Sequence, residues 1–328
     1  MNVSVILCTY NRCQSLAKAL ESLAASVVPA AMEWEILVTD NNSTDGTRAV
    51  VEKFSELHPG RFRYLFESKQ GKSYALNTAI RESHGEILAF VDDDVAVEPD
   101  WLTNLTSVLN DSKWAGAGGR ILPPPDFSPP RWLALKGPYN MGGVLCAQFD
   151  LGEASAELKE APYGTNMAFR KEIFHKYGGF RTDLGPRPGS ELRNEDTEFG
   201  RRVFAGGERL CYVPSAVVYH SVPKERVHKR FFLHWWFAYG RAHKREEAFP
   251  TAKIWGIRRY YLTLPSIALR VFLPQAFRWL IARDPHERFR LQCTAWLTLG
   301  TMAEVWSQAV SGRIVPPKNP ATESGTLS

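Results

Sequence analysis

The chain has 328 residues, 44% of them hydrophobic and 23% charged, ordinary globular usage that excludes collagen-like, low-complexity and wholly disordered classes. Its five cysteines, at 8, 13, 146, 211 and 293, show no paired metal spacing and are too sparse for a disulfide scaffold, so they read as reduced thiols. The net charge of +5 is unevenly spread: residues 221–290 carry 15 Lys and Arg against 5 Asp and Glu, a net of +10, while the rest has 25 against 30, which favours an anionic partner for that late segment, whether membrane, nucleic acid or phosphorylated substrate.

The first strand-like run, Val3-Ser4-Val5-Ile6-Leu7, begins next to Met1 and leaves no room for a secretory leader, so a cytosolic protein is expected. No uncharged apolar stretch of about 18 residues occurs, so a simple transmembrane span is not expected, and surface attachment stays open. Polar Thr9-Tyr10-Asn11-Arg12 then leads into a helical stripe at Leu16, Leu20 and Leu23. The order recurs with Ile36-Leu37-Val38, the turn Asp40 to Gly46 with Ser43, Thr44 or Asp45 as helix cap, and Val50, Phe54 and Leu57 on one helix face. A third unit runs from Phe62-Arg63-Tyr64-Leu65-Phe66 through Gly71-Lys72-Ser73 to Leu76, Ala79 and Ile80. The fourth strand, Ile87-Leu88-Ala89-Phe90-Val91, ends in Asp92-Asp93-Asp94.

Successive βα units imply an α/β fold with a mostly parallel sheet flanked by helices. In such sheets the ligand crevice lies outside the carboxyl ends of the strands, so Tyr10 to Arg12, Asp40 and Asp92 to Asp94 should converge on one site. After Trp114 to Gly119 the alternation breaks into the proline-rich stretch around Pro123-Pro124-Pro125 and Pro129-Pro130, which reads as a loop. Phe149 to Glu160 is acidic and without clear period. Tyr163 to Phe169 reads as a strand, Glu191 to Gly206 as a helix and Leu210 to Tyr219 as another strand. From about Val227 the chain is helical, aromatic and basic.

Asp92 and Asp94, two residues apart after a buried strand, are oxygen ligands suited to Mg2+ or Mn2+, which commonly bind through one or two carboxylates plus substrate phosphates. The bland alternative is a solvated acidic turn, and Asp100 offers a cap for the helix that follows. Asp40 stands where an acidic residue often meets a nucleotide's ribose, although Asp40-Asn41-Asn42 also fits an Asx turn. Gly71-Lys72-Ser73 ends like a P-loop, but Phe66 stands where that motif needs its first glycine. Gly116-Ala117-Gly118 meets Ile121 where a dinucleotide fingerprint needs its third glycine, so both an NTPase and a Rossmann dehydrogenase lose their support. Glu195 or Asp196, at a helix start, is a candidate general base or simply a favourable acid at the dipole's positive end. His220 closes its strand as a further metal ligand, a phosphate contact or a histidine with no special role.

Together, Val3 to Arg12, Asp40-Asn41-Asn42-Ser43-Thr44-Asp45-Gly46-Thr47, Gly71 to Asn77, Asp92-x-Asp94, Gly164 to Arg170, Gly178-Gly179-Phe180 and Glu195-Asp196 resemble the family 2 glycosyltransferases of the GT-A fold, over about residues 2–222. The resemblance implies an inverting transfer from a nucleoside diphosphate sugar with a divalent metal, Mn2+ or Mg2+. It implies nucleotide contacts from Thr9, Tyr10, Arg12, Asp40, Asn42, Lys72 and Asp92, metal ligation by Asp92 and Asp94 with His220 as a further ligand, and Asp196 as base with Glu195 as the fallback. Arg226, Lys229 or Arg230 would further stabilise the leaving group. The expected organisation is a catalytic domain over 1–222, with a nucleotide-sugar half to about 120 and an acceptor half over about 121–222, then a helical extension over 223–311 and a disordered tail over 312–328.

Phe231 to Phe237 and the apolar run Tyr260 to Ala282, interrupted by Pro265, Arg270, Pro274 and Arg278, suit helices lying on an anionic membrane surface or an ordinary helical subdomain. The expected partners are thus a nucleotide-sugar donor, a glycan or lipid-linked acceptor and an anionic bilayer on the cytosolic side. Nucleic-acid binding through the basic segment and sugar nucleotidyl transfer are the rival readings; neither explains the four crevice motifs as well.

Overall fold

A computed structural model describes residues 2–188, 194–246, 253–254, 257–258 and 260–311. The strands are β1 (Asn2–Thr9), β2 (Glu33–Asp40), β3 (Phe62–Phe66), β4 (Ile87–Asp92), β5 (Val95–Val97), β6 (Gly116–Leu122), β7 (Ala156–Glu157), β8 (Asn166–Arg170) and β9 (Leu210–His220). The helices are α1 (Cys13–Ala24), α2 (Thr47–Leu57), α3 (Lys72–Glu82), α4 (Trp101–Ser107), α5 (Gly142–Cys146), α6 (Lys171–Tyr177), α7 (Glu195–Ala205), α8 (Lys229–Glu246), α9 (Tyr260–Ile267), α10 (Leu273–Ile281) and α11 (Pro285–Ser311). They fall into two units, Met1–Asp126 with Cys146–Ser221, and Phe127–Leu145 with Val222–Ser328.

The first unit is a nine-stranded sheet in the order β3-β2-β1-β4-β8-β6-β9-β5, with β7 paired to β9. The β3-β2-β1-β4 side is parallel, as the βα repeats dictate. The other side is mixed: β8 runs antiparallel to both β4 and β6, and β5 is antiparallel to β9, while β6 and β9 are parallel. Leu16, Leu20 and Leu23 of α1 and Leu76 and Ala79 of α3 are buried on the expected faces. On α2 the face is turned. Val51 and Phe54 are buried with Thr47, and Leu57 is exposed, because Phe54 packs on Phe62 of β3.

β6 is the strand that its glycine-rich sequence concealed. A Cβ on Gly119 would lie 2.3 Å from the Asn166 Nδ2 and 2.4 Å from the Ala216 carbonyl oxygen, so the strand needs glycine at this position. At Gly119/Arg120 the register against β9 shifts. The Asn166 amide fills the irregularity, donating to the Arg120 and Ala216 carbonyls at 3.0 and 2.8 Å and accepting from the Trp101 indole at 2.8 Å, so the buried backbone groups keep partners. Phe174 of α6 and Phe199 of α7 stack with centroids 4.5 Å apart, which seats α7 on the sheet and fixes where its first residues stand.

In the second unit α8 and α11 run alongside in the same sense, through Phe232 with Phe289, Phe237 with Trp296, and an Arg241–Glu304 ion pair at 3.1 Å. Gly240 and Gly300 permit the approach: a Cβ on either would lie 2.1 Å from a backbone carbonyl of the other helix. Phe127–Leu145, expected in the acceptor half of the catalytic domain, groups instead with this unit, because the Trp132 ring sits edge-on to Phe232 and Phe289. Among the described residues no helix is long and apolar enough to cross a membrane. The expected tail, 312–328, lies outside the described residues.

Candidate active site

β1, β2 and β4 all deliver polar residues at their carboxyl ends, and the parallel register aligns them: Thr9 is opposite Asp40, and Cys8 is opposite Asp92. Asp92 accepts from the Lys72 ammonium at 2.5 Å and from the Thr165 hydroxyl at 2.7 Å. Burial raises its carboxyl, but the adjacent Lys72 ammonium outweighs that and holds it down at about 2. Burial works against the charge on Lys72 as well, yet Asp92 and then Glu195 keep the ammonium above its ordinary value. Lys72 Nζ lies 3.7 Å from Glu195 Oε1. Burial, opposed by Lys72 and aided by Asp196, raises Glu195.

The three aspartates take different sets of partners. Asp93 is buried and meets Arg12 Nη1 at 3.0 Å, and the same nitrogen lies 3.1 Å from Asp94 Oδ2. Burial first, then the neighbouring Asp94, overcomes Arg12 and pushes Asp93 up to about 6. Asp94 is held by strand pairing: its carbonyl accepts from the Ser221 N–H at 2.9 Å, and Val95 pairs with His220. One ligand atom each from Asp92, Asp94 and His220 lies within 4.8 Å of the others.

The histidine tautomer bears on whether a cation fits there. Nδ1 of His220 lies 3.0 Å from the Ser221 carbonyl, which can only accept, so Nδ1 carries the proton. In the neutral ring, Nε2 then presents a lone pair to Asp94 Oδ1, 3.5 Å away. Two acceptors facing each other call for a positive charge between them, and an imidazole oriented by a carbonyl on its other nitrogen is the usual arrangement of a metal-ligating histidine. Two carboxylates and this nitrogen make a donor set that fits a divalent cation.

Asp40 is buried, accepting from the Tyr64 hydroxyl at 2.9 Å and the Ser43 N–H at 2.8 Å. Asn42 is exposed at φ 65°, in the left-handed conformation that closes the turn. Asp45 takes the capping part: its Oδ1 accepts from the Thr47 N–H at 3.0 Å, and its Oδ2 accepts from the Cys13 N–H at 2.9 Å, joining the starts of α1 and α2. Asp100, by contrast, occupies the N-cap of α4 without a side-chain cap bond. Tyr10, just past the end of β1, is exposed.

Asp196 enters from α7. Its Oδ2 accepts from the Gly164 N–H and its Oδ1 from the Thr197 N–H, both at 2.7 Å, and Oδ1 also accepts from the Thr197 hydroxyl at 3.3 Å, so these donors orient a half-buried carboxylate that keeps a further lone pair on Oδ2. Glu195 beside it is buried against Lys72.

The fold thus gathers Thr9, Tyr10, Arg12, Asp40, Asn42, Lys72, Asp92, Asp94, Glu195, Asp196 and His220 in the first unit. Arg12 serves the acidic run, bridging Asp93 and Asp94. Arg226, Lys229 and Arg230 belong to the second unit. Two supporting residues escaped the sequence reading. Thr165 donates to Asp92. Asn41 accepts the Gly71 N–H at 2.8 Å and donates to the Lys69 carbonyl at 2.7 Å, which brings Gly71, at φ 139°, and Lys72 into place.

The chain resembles known proteins in sequence and in fold. The family model described as glycosyl transferase family 2 matches residues 4–178. The chain is 28% identical over 261 residues to the succinoglycan biosynthesis protein ExoM of Rhizobium meliloti (strain 1021), over 78% of this chain and 80% of that protein. It is also 28% identical over 232 residues to the glucosyl-dolichyl phosphate glucuronosyltransferase of Haloferax volcanii, over 68% of this chain and 70% of that one. Among solved structures, the mannosyltransferase PcManGT from Pyrobaculum calidifontis in complex with GDP-Man and Mn2+ superposes with a TM-score of 0.55 at 23% identity, over 95% of this chain and 75% of that chain. The TarS fragment 1–349 of S. aureus in complex with UDP gives 0.52 at 16% identity, over 95% and 92%. At these identities the likeness shows a shared fold.

Proposed function

The chain belongs to glycosyl transferase family 2 and is a glycosyltransferase, and from that premise we propose that it transfers a sugar from a nucleoside diphosphate sugar to a hydroxyl acceptor by single displacement with inversion. The observation that carries this reading is the meeting of Asp92, Asp94 and His220 within 4.8 Å, beside the Asp40 corner and the Asp196 carboxylate. Asp40, oriented by Tyr64 and Ser43, would receive the nucleoside, with Thr9 and Tyr10 lining its approach. A divalent ion held by Asp92, Asp94 and His220, Mn2+ or Mg2+, would offset the charge of the leaving diphosphate.

Asp196 would take the acceptor's proton as the oxygen attacks the anomeric carbon, because it is the partly accessible carboxylate of the pair and two amides fix its aim. Glu195 is better placed to hold Lys72 than to reach an acceptor. Lys72 in turn fixes Asp92 and stands between the donor side and the base. The acceptor we assign is a lipid-linked or cell-surface glycan precursor met from the cytosolic side, in keeping with the names of the succinoglycan and dolichyl-phosphate relatives. Nucleic-acid binding and nucleotidyl transfer are not favoured, since the family match covers the crevice motifs themselves.

Calorimetry with UDP, GDP, dTDP, ADP and CDP, with and without Mn2+, tests the reading. Metal-dependent binding of one nucleotide to the wild type, lost in Asp94→Ala, is the expected result; no binding in any combination would overturn it.

A further inference from the structure

The strongest unexplained feature is a run of apolar side chains in the second unit that faces solvent. Leu269, Leu273, Phe277 and Leu280 are 65%, 51%, 63% and 66% exposed, and Ile281 is 59% exposed. Their spacing of four, four and three or four residues places them along one side of the π-helical turn Ala268–Phe272 and α10. The opposite side of α10 is its packing side, where Gln275 Oε1 accepts from the Thr298 hydroxyl of α11 at 2.9 Å. The stripe is therefore a free face, about 20 Å long by helical rise.

Charge decides what covers it. No acidic residue occurs from Tyr260 to Arg283, and Arg270, Arg278 and Arg283 are exposed along the same stretch. A second copy of the chain would bring an equally basic segment against this one and is disfavoured by repulsion. The 17 residues after Ser311 carry Arg313 and Lys318 against Glu323 alone, and only Ile314, Val315 and Leu327 as large apolar side chains, a poor complement in charge and in apolar surface. An anionic bilayer satisfies both requirements, because large apolar side chains enter the boundary between headgroups and acyl chains while arginines meet lipid phosphates.

We propose that the Leu269–Leu273–Phe277–Leu280 face docks on an anionic membrane surface, with the helix lying in the plane of the interface and Arg270, Arg278 and Arg283 on the headgroups. This holds whatever the donor nucleotide is. It would set the enzyme beside a lipid-linked acceptor.

The test is flotation of the full chain with phosphatidylcholine vesicles, with and without phosphatidylglycerol. The wild type should float with the anionic vesicles only and release at high salt. The double variant Leu273→Glu with Phe277→Glu should lose roughly tenfold or more of its vesicle binding at unchanged melting temperature and nucleotide binding, while Leu57→Glu, at an exposed leucine of the first unit, should float as the wild type does. Absent wild-type binding, or equal binding by the double variant, overturns the proposal. So does a wild-type dimer in sedimentation that the double variant dissolves, which assigns the face to a second copy. Binding that appears only after residues 312–328 are removed assigns it to the tail and likewise overturns the proposal.

Discussion

Glu35 and Asp92 are both largely buried carboxylates answered by a long basic side chain, and they stand near opposite ends of the same parallel strands. Around Glu35 the account closes: its Oε1 accepts from the Ser4 hydroxyl and the His84 N–H, both at 2.7 Å, and its Oε2 from Arg63 at 2.6 Å. Although burial works to raise this carboxyl, the Arg63 bond and the other donors bring it below its ordinary value. Around Asp92 the account stays open. Lys72 and Thr165 satisfy it, but Asp93, Asp94, Glu195 and Asp196 crowd the same end, and Asp93 is pushed up to about 6 by burial. One cluster is a finished structural joint; the other is short of positive charge and has lone pairs to spare, which is the condition in which a charged ligand gains most from entering. The parallel topology explains which is which, because loops at the carboxyl ends are free to carry function while the amino ends only need to close.

Removing the base should break the open cluster most sharply. Asp196→Asn is expected to lower the transfer rate on the order of a hundredfold to ten-thousandfold with nucleotide affinity kept, read from initial rates and calorimetry. A change confined to KM would assign Asp196 to binding instead. Next comes the joint inside the open cluster. Lys72→Met leaves Asp92 and Glu195 buried without their cation, so unfolding in urea should show a loss of roughly 3–5 kcal/mol. Added Mn2+ should restore part of it, an effect expected of the wild type only to a smaller degree.

The legible part of this molecule was the part where chain order and spatial order coincide. Strand, polar cluster and helix follow one another through β1, β2, β3 and β4, so Thr9, Asp40 and Asp92 could be placed on one edge from sequence alone. Lys72 and Asp92 are 20 residues apart and Thr165 is 73 from Asp92; nothing local announces those pairings. β6 was hidden because its glycines are demanded by close neighbours across the sheet, a requirement that resembles a loop when read in one dimension. Register also sorted the partners of the three aspartates. The antiparallel pairing of Val95 with His220 sets Asp94 beside the imidazole, and Arg12 bridges Asp93 and Asp94.

The closed cluster makes a smaller and differently shaped prediction. Glu35→Gln should cost about 1–3 kcal/mol near neutral pH by leaving Arg63 and the Ser4 hydroxyl imperfectly answered, with transfer kinetics unchanged. Its pH signature follows from the lowered carboxyl. A depressed acid contributes stability above its unfolded value, here 4.5, and loses it as pH falls through the lower folded value. The wild type should therefore lose stability below about pH 4.5 faster than Glu35→Gln, in paired acid titrations followed by circular dichroism.

The smallest expected effect sharpens the boundary between the two kinds of cluster, because Tyr64 orients Asp40, a buried carboxylate at the carboxyl ends of the strands. Its hydroxyl donates to Asp40 at 2.9 Å, and burial, followed by that bond to a carboxylate, raises the phenol to about 12. Tyr64→Phe leaves Asp40 Oδ1 on the Ser43 N–H but frees Oδ2 to turn, at a cost near 1 kcal/mol. If Asp40 receives the nucleoside, that freedom should appear as a rise of a few-fold in the KM for the donor sugar nucleotide with kcat intact, since the contact is made equally in ground and transition states. A fall in melting temperature with KM unmoved would place Tyr64 and Asp40 with Glu35, among the joints that hold the sheet, and would leave the nucleoside to Thr9 and Tyr10.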